Sequence, residues 1–453
     1  MVVKSRIKLG VACVSAVSVV GLLAGCGTGS SNTTSVSNTT GESASGSAST
    51  SGKASLTLWN VDTGLAEQVD NKAIARFNKS HPNAQITAQY FESNPYLQKL
   101  QIVMGANRAP DIWSNWGGGR LYDFVKAGKV EDLTSYLNAD ASWKNRFLPS
   151  VMKSVTFNGK IYGVPYGNLQ PVNFFYNKQL FAQYHVSPPK TWNQLLSDIQ
   201  VFKSKGVIPI ALGGKDNWPD LMYFEYLVDR IGGQKPFDDI MSNKPGSWSN
   251  PVIMKALSMM QQLVSVGAFE PGFSSVGSND GSDAALLYSG RAAMWLMGSW
   301  GYGSIATNDS SFLSNLGWFA FPSVPGGKGN PNDVAGNPSD YYSISSHSSP
   351  QNIKAAVSFL KDNNLDSQNV KDLLSIGYVP AVQGIEGQLK KQKNGAYELF
   401  YYNLAKSAPY FQQSWDTALP TAEGNELDTD LGKFMIGQMT AKQFAADLNS
   451  YLK

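Results

Sequence analysis

A chain of 453 residues with 42% hydrophobic and 11% aromatic content can bury a large core. A single core stops growing at about 250–300 residues, so this length predicts two or more domains. Charged residues make up only 16%, and setting aside Lys4, Arg6 and Lys8 reduces the formal charge of +3 to zero. That balance argues against a nucleic-acid binder and suits a neutral polar ligand held in an electrostatically mild site.

In chain order, Lys4, Arg6 and Lys8 precede an apolar stretch at residues 9–24 (LGVACVSAVSVVGLLA). It has the length of a secretory signal and is short for a membrane span. It ends Leu23-Ala24-Gly25-Cys26, which resembles the lipobox of bacterial lipoproteins. The resemblance implies a signal peptide over 1–25, cleavage before Cys26, and a diacylglycerol (palmitate-type) anchor on its sulfur. Several acyl chains hold a membrane where one does not, so the expected location is the extracellular face of the cell membrane. Cys13 would leave with the leader, and the rest of the chain would carry neither free thiol nor disulfide. Residues 26–54 are nearly all Ser, Thr, Gly, Ala and Asn. They cannot bury enough apolar surface to offset ordering and are expected to form a flexible tether.

The globular part opens with an alternating strand at 55–59. A helix follows with Leu65, Val69, Ala73 and Phe77 on one face, then a turn at His81-Pro82-Asn83 and a second strand at 84–90. This is a βαβ unit, the element of parallel α/β sheets. A short strand is expected at 111–113. Thr191 caps a helix whose inner face is Trp192, Leu195, Leu196, Ile199 and Phe202, ending at Gly206. Residues 207–212 and 291–296 read as strands, and Pro251 starts a helix carrying Ile253, Leu257, Met260 and Val264. From Gln351 onward helices dominate, including 441–452. The fold class is α/β with two lobes and a helical C-terminal part.

No G-x-S-x-G elbow, H-E-x-x-H, P-loop or G-x-G-x-x-G is present. His81, His185 and His347 lack ligand spacing, so neither a metal nor a cofactor is expected. Tryptophan-bearing loops follow the strands instead: Trp59-Asn60-Val61-Asp62, Asn115-Trp116-Gly117-Gly118-Gly119, Trp218-Pro219, and Gly298-Ser299-Trp300-Gly301-Tyr302. In open α/β sheets ligands bind beyond the carboxyl ends of strands. A sugar ring packs an apolar C–H face on an indole and offers hydroxyls to Asp, Asn and Gln.

Four stretches carry a family resemblance: 109–133 (APDIWSNWGGGRLYDFVKAGKVEDL), 163–178 (GVPYGNLQPVNFFYNK), 188–196 (PPKTWNQLL) and 292–300 (AAMWLMGSW). In this order they resemble the carbohydrate-binding extracellular solute-binding proteins (family 1) of bacterial ABC sugar importers. Tyr184-His185 stands where that family commonly has Gly, at no binding position. The resemblance implies a maltose-binding-protein-like, type II fold with crossovers near 163–166, 319–325 and 377–381. One lobe would comprise 55–164 plus 323–377 and the other 165–322 plus 378–453. It implies Trp116, Trp218 and Trp300 as stacking platforms, with Trp59 in the same role from its loop. Asp62, Asn115, Asn168 and Asp340 are implied hydroxyl partners, Tyr166 and Tyr341 serve either way, and Gln170 and Glu225 complete the set. The implied protein is a monomer and not an enzyme; it captures an oligosaccharide and hands it to ABC permease transmembrane subunits. A secreted glycosidase or lyase, and a non-transporting surface lectin, are the alternative readings.

Overall fold

The structure is a computed structural model that describes residues 53–452. The expected leader, Cys26 and nearly all of the Ser/Thr-rich segment lie outside the described residues.

Two sheets organise the chain. The first has strand order Ala84–Tyr90, Ala54–Asn60, Ile112–Asn115, Tyr341–Ile344, Val164–Pro165. Its first three strands are parallel and its last two antiparallel. The opening βαβ unit forms where the alternation predicts it. Leu56 and Leu58 are buried while Ser55 and Thr57 face solvent, and helix Gly64–Ser80 buries Ala66, Val69, Ala73, Ile74 and Phe77.

The second sheet has the order Phe411–Gln413, Val334–Asn337, Gln170–Asn177, Ala292–Gly298, Ile208–Ala211, and Leu316–Phe319 also pairs with Gln170–Asn177. The central strand, Gln170–Asn177 (QPVNFFYN), is buried at every position but Tyr176. Its polar and apolar residues do not alternate, because neighbours cover both faces. Helix Trp192–Ser204 has the full capping box of Thr191 and Gln194 and buries Trp192, Leu195, Ile199 and Phe202. Helix Pro251–Val266 stops at Gly267, which has φ of 72° and so adopts a left-handed conformation that glycine takes without strain. The C-terminal part is helical apart from Phe411–Gln413. There Trp415 stacks on Phe237 at 4.4 Å inside a cluster with Phe224, Trp248 and Phe444.

The chain crosses between the sheets at 166–169, at 338–340 and around 377–382, where Asn168 bridges Pro380 and Phe147 bridges Val382. The middle crossing lies later than the 319–325 expectation. Strands Leu316–Phe319 and Val334–Asn337 both stay in the second sheet, and the Phe319 ring stacks on Phe174 at 5.0 Å. Among the described residues no helix is long and apolar enough to cross a membrane.

Candidate ligand-binding site

A cavity of about 320 Å³ opens between the two sheets. Four of its side chains sit just past strand ends: Asp62 after Ala54–Asn60, Trp116 after Ile112–Asn115, Trp218 after Ile208–Ala211, and Trp300 after Ala292–Gly298. Asn168, Gln170 and Asp340 reach it from the first two crossing segments. Crossing segments run past the gap between the lobes, and some of their side chains reach it while Tyr166 and Leu169 stay buried.

Indoles stand on both walls. Trp218 and Trp300, on the second-sheet side, have ring centroids 6.0 Å apart at 52°. The Trp218 Nε1–H donates to Asn279 Oδ1 at 3.2 Å. A Cβ on Gly298 would lie 1.9 Å from the Trp300 ring, so only glycine lets that indole fold back over the strand end. Trp116 stands on the first-sheet side, and its carbonyl accepts from Gln413 Nε2 at 2.9 Å.

Between these walls Gln170 Nε2 donates to Asp340 Oδ2 at 2.5 Å. Gln170 Oε1 is buried without a partner. Asn168 Nδ2 donates to Ser299 Oγ at 2.9 Å. Asn60 Nδ2 lies 3.4 Å from Asp62 Oδ2, and burial pushes the Asp62 carboxyl up to about 6. Burial first, and the Asp62 charge second, raise Asp340 well above the usual carboxylate range. Asp62, Glu92, Asp280, Asp340, Asp416 and Asp428 line the cavity, and no Lys, Arg or His does among the described residues. Arg120 lies within 3.8 Å of Asp416 and Asp428, and Lys215 within 3.7 Å of Asp280, so cations outside the lining offset part of this charge. Among the described residues no group of three His, Cys, Asp or Glu could hold a metal ion.

Seven sequence-predicted residues meet in this cavity: Asp62, Trp116, Asn168, Gln170, Trp218, Trp300 and Asp340. Five do not line it. Trp59 is buried with its ring 5.0 Å from Phe91. Asn115 Nδ2 donates to Ser343 Oγ at 2.9 Å, while its Oδ1 accepts from the Gly117 N–H. Tyr166 stacks on Tyr342 at 3.8 Å and donates to Asn60 Oδ1. Glu225 is buried and accepts from the Trp415 N–H at 3.2 Å. Tyr341 donates to the Val151 carbonyl at 2.6 Å. Each has its polar atom or ring engaged inside one lobe. Strand periodicity explains part of this: Trp59 and Tyr341 lie within strands, where the sheet sets side-chain direction.

Sequence reasoning missed Asp70, Tyr378, Asn279, Asp280 and Asp428. The run 276–283 (VGSNDGSD) does carry a loop signal of Gly, Ser, Asn and Asp. The others had none, because they sit in helices or at a crossing.

Residues 63–363 match the family described as bacterial extracellular solute-binding protein. The chain belongs to that family. An uncharacterized ABC transporter extracellular-binding protein of Pyrococcus horikoshii is 27% identical over 59% of this chain and 60% of its own length. The chain thus spans about half to three-fifths of the curated relatives it matches. A structure from work on xylan utilization by Caldanaerobius polysaccharolyticus is 31% identical, with TM-score 0.79 over 88% of this chain and 100% of its own. A chitin oligosaccharide binding protein is 25% identical, with TM-score 0.79 over 88% and 98%. The two-lobed α/β fold is that of maltose-binding-protein-like, type II solute receptors, as the four sequence stretches implied.

Proposed function

We propose that this solute-binding protein captures a neutral oligosaccharide in the interlobe cavity and delivers it to the permease of an ABC importer. The observation that carries the reading is the placement of indoles on both walls of one cavity, Trp116 facing Trp218 and Trp300. Pyranose faces pack on such rings while Asp, Asn and Gln take the hydroxyl edge. The relatives' association with xylan utilization and chitin oligosaccharides supports a plant- or chitin-type oligosaccharide as the class to test first. Ligand contacts to both lobes favour the closed form, and the closed form is what a permease would recognise. The protein acts as a monomer, and capture needs no bond to be made or broken.

Calorimetric titration with xylo-, chito-, gluco- and galacto-oligosaccharides tests this. One neutral series should bind, with compaction in small-angle scattering and no cleaved product by chromatography. Product formation would favour the glycosidase or lyase reading; absence of binding across the panel would reject carbohydrate capture.

We also infer that Cys26 carries a lipid anchor, with 1–25 as its signal peptide and 26–54 as the tether. The support is the Leu23–Ala24–Gly25–Cys26 pattern after a positive, apolar leader. Cys26→Ser should abolish labelling by a lipid analogue in cells, and equal labelling of variant and parent would reject the anchor.

A further inference from the structure

Asp62 and Asp70 are neighbouring carboxyls that both reach the side-chain amide of Asn60. Two carboxylates gathered round one amide away from water repel each other, which favours holding one proton on the pair. The donor available nearby is Asn60, whose Nδ2 lies 2.6 Å from Asp70 Oδ2, 3.4 Å from Asp62 Oδ2 and 2.8 Å from the Tyr342 hydroxyl. One amide with two hydrogens is shared among three acceptors. Its oxygen is committed as well, to the Tyr166 hydroxyl and the Val61 N–H.

Among the described residues no cation relieves the pair. Arg76, on the Asp70 helix, is taken by Asp366 and Asp372 at 3.1 and 3.2 Å. Lys99 lies with its Nζ over the Trp59 and Phe91 rings. The charged groups that act on Asp70 are the carboxyls of Asp62, Glu67 and Asp340. The hydroxyls of Tyr90, Tyr166, Tyr342 and Tyr378 complete its titratable surroundings. Burial holds Asp70 well above the usual carboxylate range and Asp62 near 6. A separate observation points to a hydroxylated ligand at this floor. Gln170 is 7% exposed and lines the cavity beside Asp340, and its Oε1 has no partner within the protein.

We propose that Asp70 is a positioning residue of the binding site: it shares one proton with Asp62, and ligand capture is coupled to that proton. The proposal rests on the reading of the cavity as a carbohydrate site. Asp62 lines the cavity, whereas Asp70 lies behind it. Closing the cleft over a sugar removes water from the pair, so the bound form keeps the proton more tightly than the open form. By linkage, a bound form that holds more protons loses affinity as pH rises.

Neutral oligosaccharides do not titrate between pH 5.5 and 8.5, so any slope there belongs to the protein. Titrations with xylotriose and chitotriose over that range should show affinity falling by about tenfold or more for whichever binds, one proton allowing at most about tenfold per pH unit. Asp70→Asn keeps the shape and supplies N–H donors. It should lose the slope, whatever its affinity at pH 5.5. A flat profile for the parent, or an unchanged slope in Asp70→Asn, overturns the proposal. Infrared difference spectra of the ligand-free proteins at pH 6 separate this result from a failure of the carbohydrate reading. Other buried carboxyls absorb in both proteins, so the parent-minus-variant spectrum is read: it should carry a protonated-carboxyl band, and absence of that difference overturns the proposal whether or not either sugar binds.

Discussion

The Arg120 Nε–H donates to the Asp416 carbonyl at 2.6 Å, and its guanidinium lies 3.7 Å from the Asp416 carboxylate and 3.8 Å from that of Asp428. Arg120 belongs to helix Gly118–Lys126 behind the first sheet, whereas Asp416 and Asp428 belong to the C-terminal helices packed on the second-sheet side. The approach is close enough to require glycine: a Cβ on Gly118 would lie 2.4 Å from the Thr417 carbonyl, and one on Gly119 2.4 Å from that of Leu419. Asp123 completes the contact by accepting from the Thr421 N–H at 2.8 Å, at the start of helix Thr421–Met435, where a negative charge complements the helix dipole.

Arg120 is thus the cation that holds the lobes together on one side of the cleft. Arg120→Ala leaves Asp416 and Asp428 with no arginine to face, and Asp220 adds to the repulsion on Asp428. Removing one partner of a largely buried charge pair costs about 1–3 kcal/mol, here at the expense of the contact between the two sides of the cleft. The variant should show a larger radius of gyration in small-angle scattering and bind sugar roughly 5- to 150-fold more weakly. An unchanged radius and affinity would mean that the contact does not govern closure.

Trp116, Trp218 and Trp300 line the cavity, while Trp192 is 3% exposed and donates its Nε1–H to Gln262 Oε1 at 3.2 Å. Alanine at each of the first three should cost on the order of 1–3 kcal/mol of binding, roughly 5- to 150-fold, with Tm nearly unchanged without sugar. Each should also lose most of the sugar-induced rise in Tm, which tracks binding. Trp192→Ala should instead cost about 3–5 kcal/mol of stability. Trp59→Ala should follow Trp192, since its ring packs against Phe91. Thermal melts with and without sugar, paired with calorimetry, separate the two groups.

Glu398 is fully buried with neither carboxyl oxygen partnered, and burial pushes it up to about 8 from a usual value near 4.5. The folded chain therefore holds a proton that the unfolded chain releases, so stability falls as pH climbs from about 4.5 to about 8 and then levels. Glu398→Gln removes this contribution. It should raise stability at pH 9, where the parent must bury an ionised carboxylate or lose its proton on unfolding, and have little effect near pH 5. Chemical denaturation at pH 5, 7 and 9 measures the difference, and equal pH profiles for parent and variant would contradict it.

Local pattern made the opening βαβ unit, the Thr191-capped helix and the Pro251 helix legible, because each buries one face at its own period: Leu56 and Leu58 two apart, Val69, Ala73 and Phe77 four apart. It also placed Trp116, Trp218 and Trp300 in loops beyond strand ends, where an α/β sheet exposes a ligand site. Gln170–Asn177 lacked that signal. It is enclosed by Val334–Asn337, Ala292–Gly298 and Leu316–Phe319, segments more than a hundred residues away, and burial on both faces erases alternation. The same long-range pairing kept Phe319 in the second sheet and moved the middle crossing to 338–340. Whether a polar or aromatic residue faced the cavity was likewise decided in three dimensions. Asp340 lines the cavity while its neighbour Tyr341 turns away and donates to Val151, as adjacent residues on an extended chain do. The balanced composition could not show that six carboxyls gather along one cleft, with Arg120 and Lys215 facing three of them, because net charge sums over the chain while electrostatics depends on the distances that folding sets.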